Sequence, residues 1–254
     1  MKVANSVVAI TGGASGLGEG TARMVVAEGG RAVLFDLPTG RGEPLAAELG
    51  ERVLFVPVDI TEPAQVEQGV AAAIAEFGRI DVLVNAAGIS PAHRLVNRRG
   101  EMFPLDTFRK ALDVNLVGLI DVSRHVAKAM TGNEPGANGE RGLIVNVSSV
   151  AAFEGQMGQA AYTASKGAVA QLTLQLARDL AEFGIRVMAI APGIMDTPML
   201  ASIDEARRER LMDLHLFPKR LGTAQDFATL VRTFMEVELL NAEVVRLDAG
   251  ARMG

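Results

Sequence analysis

The chain has no cysteine, which removes disulfides, thiolate metal sites and thiol nucleophiles together. Its three histidines, His93, His125 and His215, are scattered, and no His-Glu-x-x-His pattern occurs, so no metal is expected. A Gly-x-Ser-x-Gly elbow is also missing, which leaves serine hydrolysis without its nucleophile. Charges, Gly or Pro interrupt every hydrophobic stretch before about 18 residues, the length a membrane helix needs. The apolar run within Met1–Ile10 stops at Thr11, too short for a signal peptide, so a cytoplasmic protein without a membrane partner is expected. Positive charge is not in excess: 25 Lys and Arg stand against 30 Asp and Glu, a net charge of −5. Nucleic acid is therefore not an expected partner. There is no internal repeat and no low-complexity tract.

What is present suits a large folded core, since 49% of the 254 residues are hydrophobic and 22% charged. Short β-branched runs at Val7–Thr11, Ala32–Phe35, Val53–Val58, Val82–Asn85, Leu143–Val147, Val187–Ile190 and Val244–Leu247 read as seven strands. Stretches with helical spacing lie between them, at about Leu17–Glu28, Glu43–Leu49, Ala64–Phe77, Thr107–Met130, Ala161–Phe183 and Ala224–Glu236. Strands that are apolar at consecutive positions and alternate with helices imply a parallel sheet covered on both faces. The expectation is one α/β domain over residues 1–254, a Rossmann-type doubly wound sheet of seven strands flanked by helices. Ser90–Pro104 and Thr131–Gly142 read as excursions from that core.

The first strand runs into Thr11-Gly12-Gly13-Ala14-Ser15-Gly16-Leu17-Gly18, followed directly by a helix. Glycines there permit positive φ and let the backbone approach a diphosphate seated against the helix N-terminus. The second strand ends at Asp36, roughly 20 residues on, where an acid accepts hydrogen bonds from ribose hydroxyls and repels a 2′-phosphate. An isolated acid is normally a cap or a solvated loop residue; this placement favours recognition of NAD. Arg31 and Arg41 are cations that could neutralise a 2′-phosphate in place of that preference.

Ser148-Ser149 follows the fifth strand, and Tyr162 and Lys166 stand four apart on one face of the following helix. A phenol with an ordinary pKa of about 10 is a poor base. A neighbouring ammonium, with the positive nicotinamide ring, is expected to bring Tyr162 toward working pH. Ser149 at a strand end is placed to donate a hydrogen bond to a substrate oxygen that changes between alcohol and carbonyl.

The glycine turn, Asn85-Ala86-Ala87-Gly88, Asn115, Ser149 and Tyr162-xxx-Lys166 resemble the short-chain dehydrogenase/reductase family over nearly the whole chain. The resemblance implies Tyr162 as acid/base, Lys166 as holder of the nicotinamide ribose, and Asn115 as holder of a water that links Lys166 to solvent. It implies Ser149 rather than Ser148 as the substrate-orienting serine, from its spacing of 13 before the tyrosine. Gly12, Ser15, Gly16, Leu17 and Gly18 would then cradle the diphosphate, Asp59 and Ile60 would lie by the adenine, and Asn85, Ala86 and Gly88 beside the adenosine. The run from Pro192 through Met195 to Thr197 would close over the carboxamide.

Three further stretches resemble the type II 3-hydroxyacyl-CoA dehydrogenase group of that family: Ser149–Tyr162, Phe217–Gly222 and Val244–Met253, as do the two excursions. This implies an acyl-CoA substrate oxidised at C3 with NAD, and a homotetramer built through Thr107–Met130, Ala161–Phe183 and the last strand. Phe153, Met157, Met199, Leu200 and Leu214 are apolar candidates for an acyl pocket, with ordinary packing an equal alternative. Arg94, Arg98 and Arg99 could meet CoA phosphates, although such a loop is more often a solvated surface. Rival activities are a 3-oxoacyl-carrier-protein reductase and a hydroxysteroid or secondary alcohol dehydrogenase. Asp36 speaks against the first because those reductases commonly use NADPH. A scaffold that binds nucleotide without turnover would show a damaged catalytic set, and none of the four residues is missing.

Overall fold

In the computed structural model, which describes residues 1–200 and 205–253, the apolar runs become strands. These are β1 (Val7–Thr11), β2 (Arg31–Asp36), β3 (Val53–Pro57), β4 (Val82–Asn85), β5 (Gly142–Val147), β6 (Ile185–Pro192) and β7 (Val244–Leu247). They form one seven-stranded sheet in the order β3-β2-β1-β4-β5-β6-β7, and every neighbouring pair is parallel. The helices are α1 (Gly16–Ala27), α2 (Gly42–Leu49), α3 (Pro63–Phe77), α4 (Leu105–Leu112), α5 (Leu119–Met130), α6 (Ala160–Leu180), α7 (Glu205–Asp213) and α8 (Ala224–Glu236). Among the described residues no helix is long and apolar enough to cross a membrane.

The period of two along each strand sends alternate side chains to opposite faces. Val8 and Ile10 of β1 join Met24 and Val25 of α1 and Phe227, Val231 and Phe234 of α8. Val7 and Ala9 join Val66 and Val70 of α3 and Val122 and Val126 of α5. Both faces of β1 are thus buried, which is why the run has no polar alternation. The chain winds outward from β1 to β3 and then returns to place β4 on the other side of β1, with Thr11 opposite Asn85. That reversal opens a crevice at the carboxyl ends of β1 and β4, where α/β sheets place their ligands.

Four features depart from the sequence reading. The helix expected over Thr107–Met130 is interrupted by a π-helical segment, Asp113–Gly118, between α4 and α5. Gly118 there packs so closely that an added Cβ would lie 2.8 Å from the Ile60 carbonyl oxygen. Secondly, α7 gave no signal, because Glu-Ala-Arg-Arg-Glu-Arg carries no apolar stripe. The Thr131–Gly142 excursion is also pinned from within: buried Asn133 donates to the carbonyls of Ile80 and Arg141 at 2.8 and 2.9 Å. Finally, Arg31 begins β2 with its guanidinium over the Phe77 ring, whereas Asp36 ends the strand. Five strand residues hold the two about 16 Å apart, so Arg31 does not serve the 2′-position. Arg41 is at the correct end, and its guanidinium faces Glu19 at 3.8 Å.

Candidate active site

Because all strands are parallel, the residues that follow them converge on one edge of the sheet. At its centre Gly12 has φ of 64°, and a Cβ there would meet the backbone of Ala87 at 2.9 Å. Gly16, with φ of 50°, faces Thr197 and Pro198. Gly18 packs against the Gly12 carbonyl so tightly that no side chain fits. Leu17 is half-buried against the core. The α1 N-cap residue Ser15 is exposed and makes no side-chain capping bond, so its hydroxyl and the first turn of amides face the crevice unused. N-cap serines ordinarily close onto those amides. This cradle suits a diphosphate on general grounds.

Asp36 accepts from the Ala14 amide at 2.9 Å through one carboxylate oxygen and from the Leu37 amide at 2.8 Å through the other. The two bonds fix the carboxylate beside the glycine turn and leave each oxygen with a further lone pair. Asp59 accepts from the amide and hydroxyl of Thr61, and Ile60 is buried behind it. Asn85 turns inward: its amide donates to Ser123 and Asn146, both at 2.9 Å. Ala86 and Ala87 are tied to β1 through the carbonyl and hydroxyl of Thr11. Sequence marks Thr11 only as the residue before the glycines and gives no sign that it ties β4 to β1.

Gly88 stands where a Cβ would be 3.1 Å from Asn115 Oδ1 and 3.4 Å from Lys166 Nζ. Asn115, wholly buried in the π-helical segment, accepts from the Ile89 amide and donates to the Ile89 carbonyl and to Ser165. Its side chain therefore joins the end of β4 to α6. Ser165 lies inside the Tyr162-xxx-Lys166 motif and was not singled out for that reason. Pro192 ends β6, Met195 is bridged to Gly222, and the Asp196 amide donates to the Gly222 carbonyl at 2.7 Å. These bonds bring Thr197 over the glycine turn.

The paired serines separate cleanly. Ser148 Oγ donates to the Lys166 carbonyl at 2.8 Å and is committed to holding α6 against β5. Ser149 Oγ accepts from the Ala151 amide at 3.1 Å and keeps its proton free to point at Tyr162. Lys166, wholly buried, donates from Nζ to the Val147 carbonyl at 2.7 Å and lies 5.9 Å from the Tyr162 ring centroid. Burial pulls its pKa down to about 8. The expected depression of the phenol by this ammonium does not arise in the protein alone. Burial lifts Tyr162 above its ordinary value, and the Ser149 hydrogen bond acts in the lowering direction without reversing it. Lowering Tyr162 toward neutrality therefore needs positive charge from outside the chain.

The buried ammonium has a consequence for stability. A lysine whose pKa falls from 10.5 to about 8 on folding opposes folding most at low pH, and the penalty fades as pH rises between those values. The whole shift is worth about 3 kcal/mol, and the bond to Val147 offsets about 1 kcal/mol of the gain from removing it. Lys166→Met is expected to raise stability by about 2 kcal/mol near pH 6, with the gain gone by about pH 10. Urea midpoints at the two pH values check this, and equal midpoints at both would refute it.

The model of the short chain dehydrogenase family matches residues 6–208. Human 3-hydroxyacyl-CoA dehydrogenase type-2 is 50% identical over 248 residues, 97% of this chain and 95% of that protein. A crystal structure of 3-hydroxyacyl-CoA dehydrogenase type-2 from Mycobacterium avium superposes with a TM-score of 0.94 at 40% identity, covering 98% and 97% of the two chains. That of 3-ketoacyl-(acyl-carrier-protein) reductase from Brucella melitensis, complexed with NADH, gives 0.86 at 29% identity, covering 99% and 100%. With a match across most of its length and a crevice built as described, the chain belongs to the short-chain dehydrogenase family.

Proposed function

We propose that this oxidoreductase transfers a hydride between NAD and C3 of a 3-hydroxyacyl-CoA thioester, with Tyr162 moving the hydroxyl proton. The observation that carries the reading is the 50% identity to the human type-2 enzyme across 97% of the chain. The nearness of Asn115 and Lys166 to Gly88, and of Lys166 to the Tyr162 ring, beside a glycine cradle that a Cβ would fill, supports the reading. NAD supplies the hydride acceptor. Gly12, Ser15, Gly16 and Gly18 would hold its diphosphate, Asp36 the adenosine ribose, Lys166 the nicotinamide ribose, and Pro192 to Thr197 the carboxamide. Ser149 would turn its single hydroxyl proton to the substrate oxygen when substrate is bound, and Asn115 keeps α6 registered against β4. Asn115 would also help hold a water that links Lys166 to solvent, its side chain meanwhile being fixed by Ile89 and Ser165.

Phe153, Met157 and Met199 are half or more exposed, so they do not belong to the core and support an apolar substrate chain. Leu200 and Leu214 are half-buried. Arg94, Arg98 and Arg99 are exposed and form no ion pair with a described residue. The Brucella reductase is complexed with NADH, so cofactor choice does not by itself separate the carrier-protein reading from the CoA reading. Assembly as a homotetramer in the cytoplasm belongs to the same proposal, and sedimentation of the purified chain tests the assembly.

The decisive assay compares acetoacetyl-CoA, its carrier-protein counterpart and a hydroxysteroid, each with NADH and NADPH. The highest kcat/KM is expected for acetoacetyl-CoA with NADH, and preference for carrier protein would overturn the reading. Asp36→Asn keeps the side-chain size and removes the charge that repels a 2′-phosphate. It is expected to raise the NADPH-to-NADH ratio of kcat/KM at least about tenfold. An unchanged ratio would remove Asp36 from cofactor selection.

A further inference from the structure

The turn that carries Ser149 is held from an unexpected side. Ser149 caps a short 3₁₀ turn, Val150–Ala152, and the amides of Ala152, Phe153 and Glu154 bond back to Ser149 and Val150, so backbone bonds tie Glu154 to Ser149 within one turn. The Glu154 carboxylate accepts from Arg246 Nη1 at 2.8 Å through one oxygen and from the Met253 amide at 2.8 Å through the other. Arg252 Nε lies 3.4 Å away. Arg246 lies with its guanidinium 5.6 Å from the Phe153 ring centroid and donates to Asp248 at 2.7 Å and to the Ala251 carbonyl at 3.1 Å. The arginines beside Glu154 and the Met253 amide hold its carboxyl below the usual carboxylate range.

The same C-terminal stretch touches two other walls of the crevice. The Gly193 amide donates to the Leu247 carbonyl, and a Cβ on Gly193 would meet Asp248 Cβ at 2.7 Å. The Leu216 amide donates to the Ala249 carbonyl at 2.9 Å. Residues 246–253 thus join the Ser149 turn, the Pro192–Thr197 run and the segment after α7. None of these residues reaches the reacting atoms, but the aim of Ser149 at Tyr162 depends on the turn they hold.

We propose that Glu154, Arg246 and Asp248 form a clamp through which the C-terminal stretch sets the aim of Ser149, making Glu154 and Arg246 positioning residues for proton transfer at Tyr162. The proposal rests on the roles given above to Ser149 and Tyr162. Its test has a readout that does not require turnover, because Tyr162 is the chain's only tyrosine and there is no tryptophan. Near-ultraviolet phenolate absorbance therefore reports this one hydroxyl.

Releasing the clamp by Glu154→Ala is expected to turn Ser149 from Tyr162 and take away its lowering influence, so the phenol should titrate measurably higher. The kcat for acetoacetyl-CoA with NADH is expected to fall about 10- to 100-fold, with its pH profile displaced in the same direction and NADH affinity retained. Arg246→Ala should do the same, and the double variant should be no worse than either single one. Glu154→Gln, which keeps an acceptor for Arg246, should recover most of the loss, and Arg246→Ala serves as the folded variant if Glu154→Ala disrupts the chain. Glu140→Gln, at the far end of β5, is the control for lost stability alone. If Glu154→Ala and Arg246→Ala leave the phenol titration unmoved, or lower kcat no more than Glu140→Gln at matched Tm, the clamp is overturned. A wild-type protein that turned over none of the substrates would sink the proposed function and leave the absorbance titration to judge the clamp.

Discussion

Replacing Tyr162 by phenylalanine is expected to lower kcat about 10³-fold, the middle of the range that a positioned acid or base contributes, while leaving NADH affinity unchanged. The substitution keeps the ring and its relation to Lys166 and removes only the hydroxyl. Ser149 Oγ accepts from the Ala151 amide and offers only its own proton, and the Lys166 ammonium donates to the Val147 carbonyl. Neither is arranged to take over the proton: a serine hydroxyl is a far weaker acid than a phenol, and the Lys166 ammonium, 5.9 Å from the ring centroid, donates to a carbonyl. The variant also deletes the chain's single phenol, so loss of the titratable absorbance verifies the assignment in the same sample. Steady-state kinetics with acetoacetyl-CoA and a fluorescence titration with NADH measure the two quantities. A fall of less than about tenfold would place the proton transfer elsewhere.

The largest stability effect is expected far from the chemistry. Glu140 lies just before β5, where its carboxylate pairs with Arg186 at 2.6 Å and with the amino group of Met1 at 3.0 Å. Both side chains of the Glu140–Arg186 pair are only 9% exposed. Arg186 also donates to the Leu240 carbonyl at 2.7 Å, which fixes it in β6 and prevents escape to water. Glu140→Ala leaves that guanidinium buried without its anion, a change that costs about 3–5 kcal/mol. In a chain of this size each kcal/mol shifts Tm by about 2–4 °C, so Tm should fall by about 6–20 °C. Adding Arg186→Met should restore much of the loss, because an apolar replacement removes the stranded charge. Thermal melts of the three proteins check this, and a single-variant loss below about 1 kcal/mol would show that the pair behaves like a surface salt bridge.

The strands were readable because burial on both faces demands apolar residues at consecutive positions, and β1, β4 and β7 fall where the runs of valine and isoleucine fall. The glycine turn was readable because only glycine accepts the positive φ of Gly12 and Gly16. Tyr162 and Lys166 were readable because a helix places residues four apart on one face. The split between Ser148 and Ser149 was not, since both carry the same hydroxyl and only the position of the Lys166 carbonyl distinguishes them. The raised pKa of Tyr162 was hidden for a similar reason: sequence supplies the neighbouring ammonium but not the burial that outweighs it.

The alternation of apolar runs and amphipathic stretches by itself implied a parallel sheet, and with it one edge on which the glycines, Asp36, Ser149 and Tyr162 meet. That follows from local periodicity and from the right-handed crossover that parallel strands require. Only the tertiary structure decided which polar groups face each other across that edge. Glu154 and Met253 are 99 positions apart and Glu140 and Arg186 are 46 apart, and no local propensity encodes such pairings. They exist because the strand order brings the ends of β5, β6 and β7 side by side, where desolvation makes every unpaired charge costly and so selects partners.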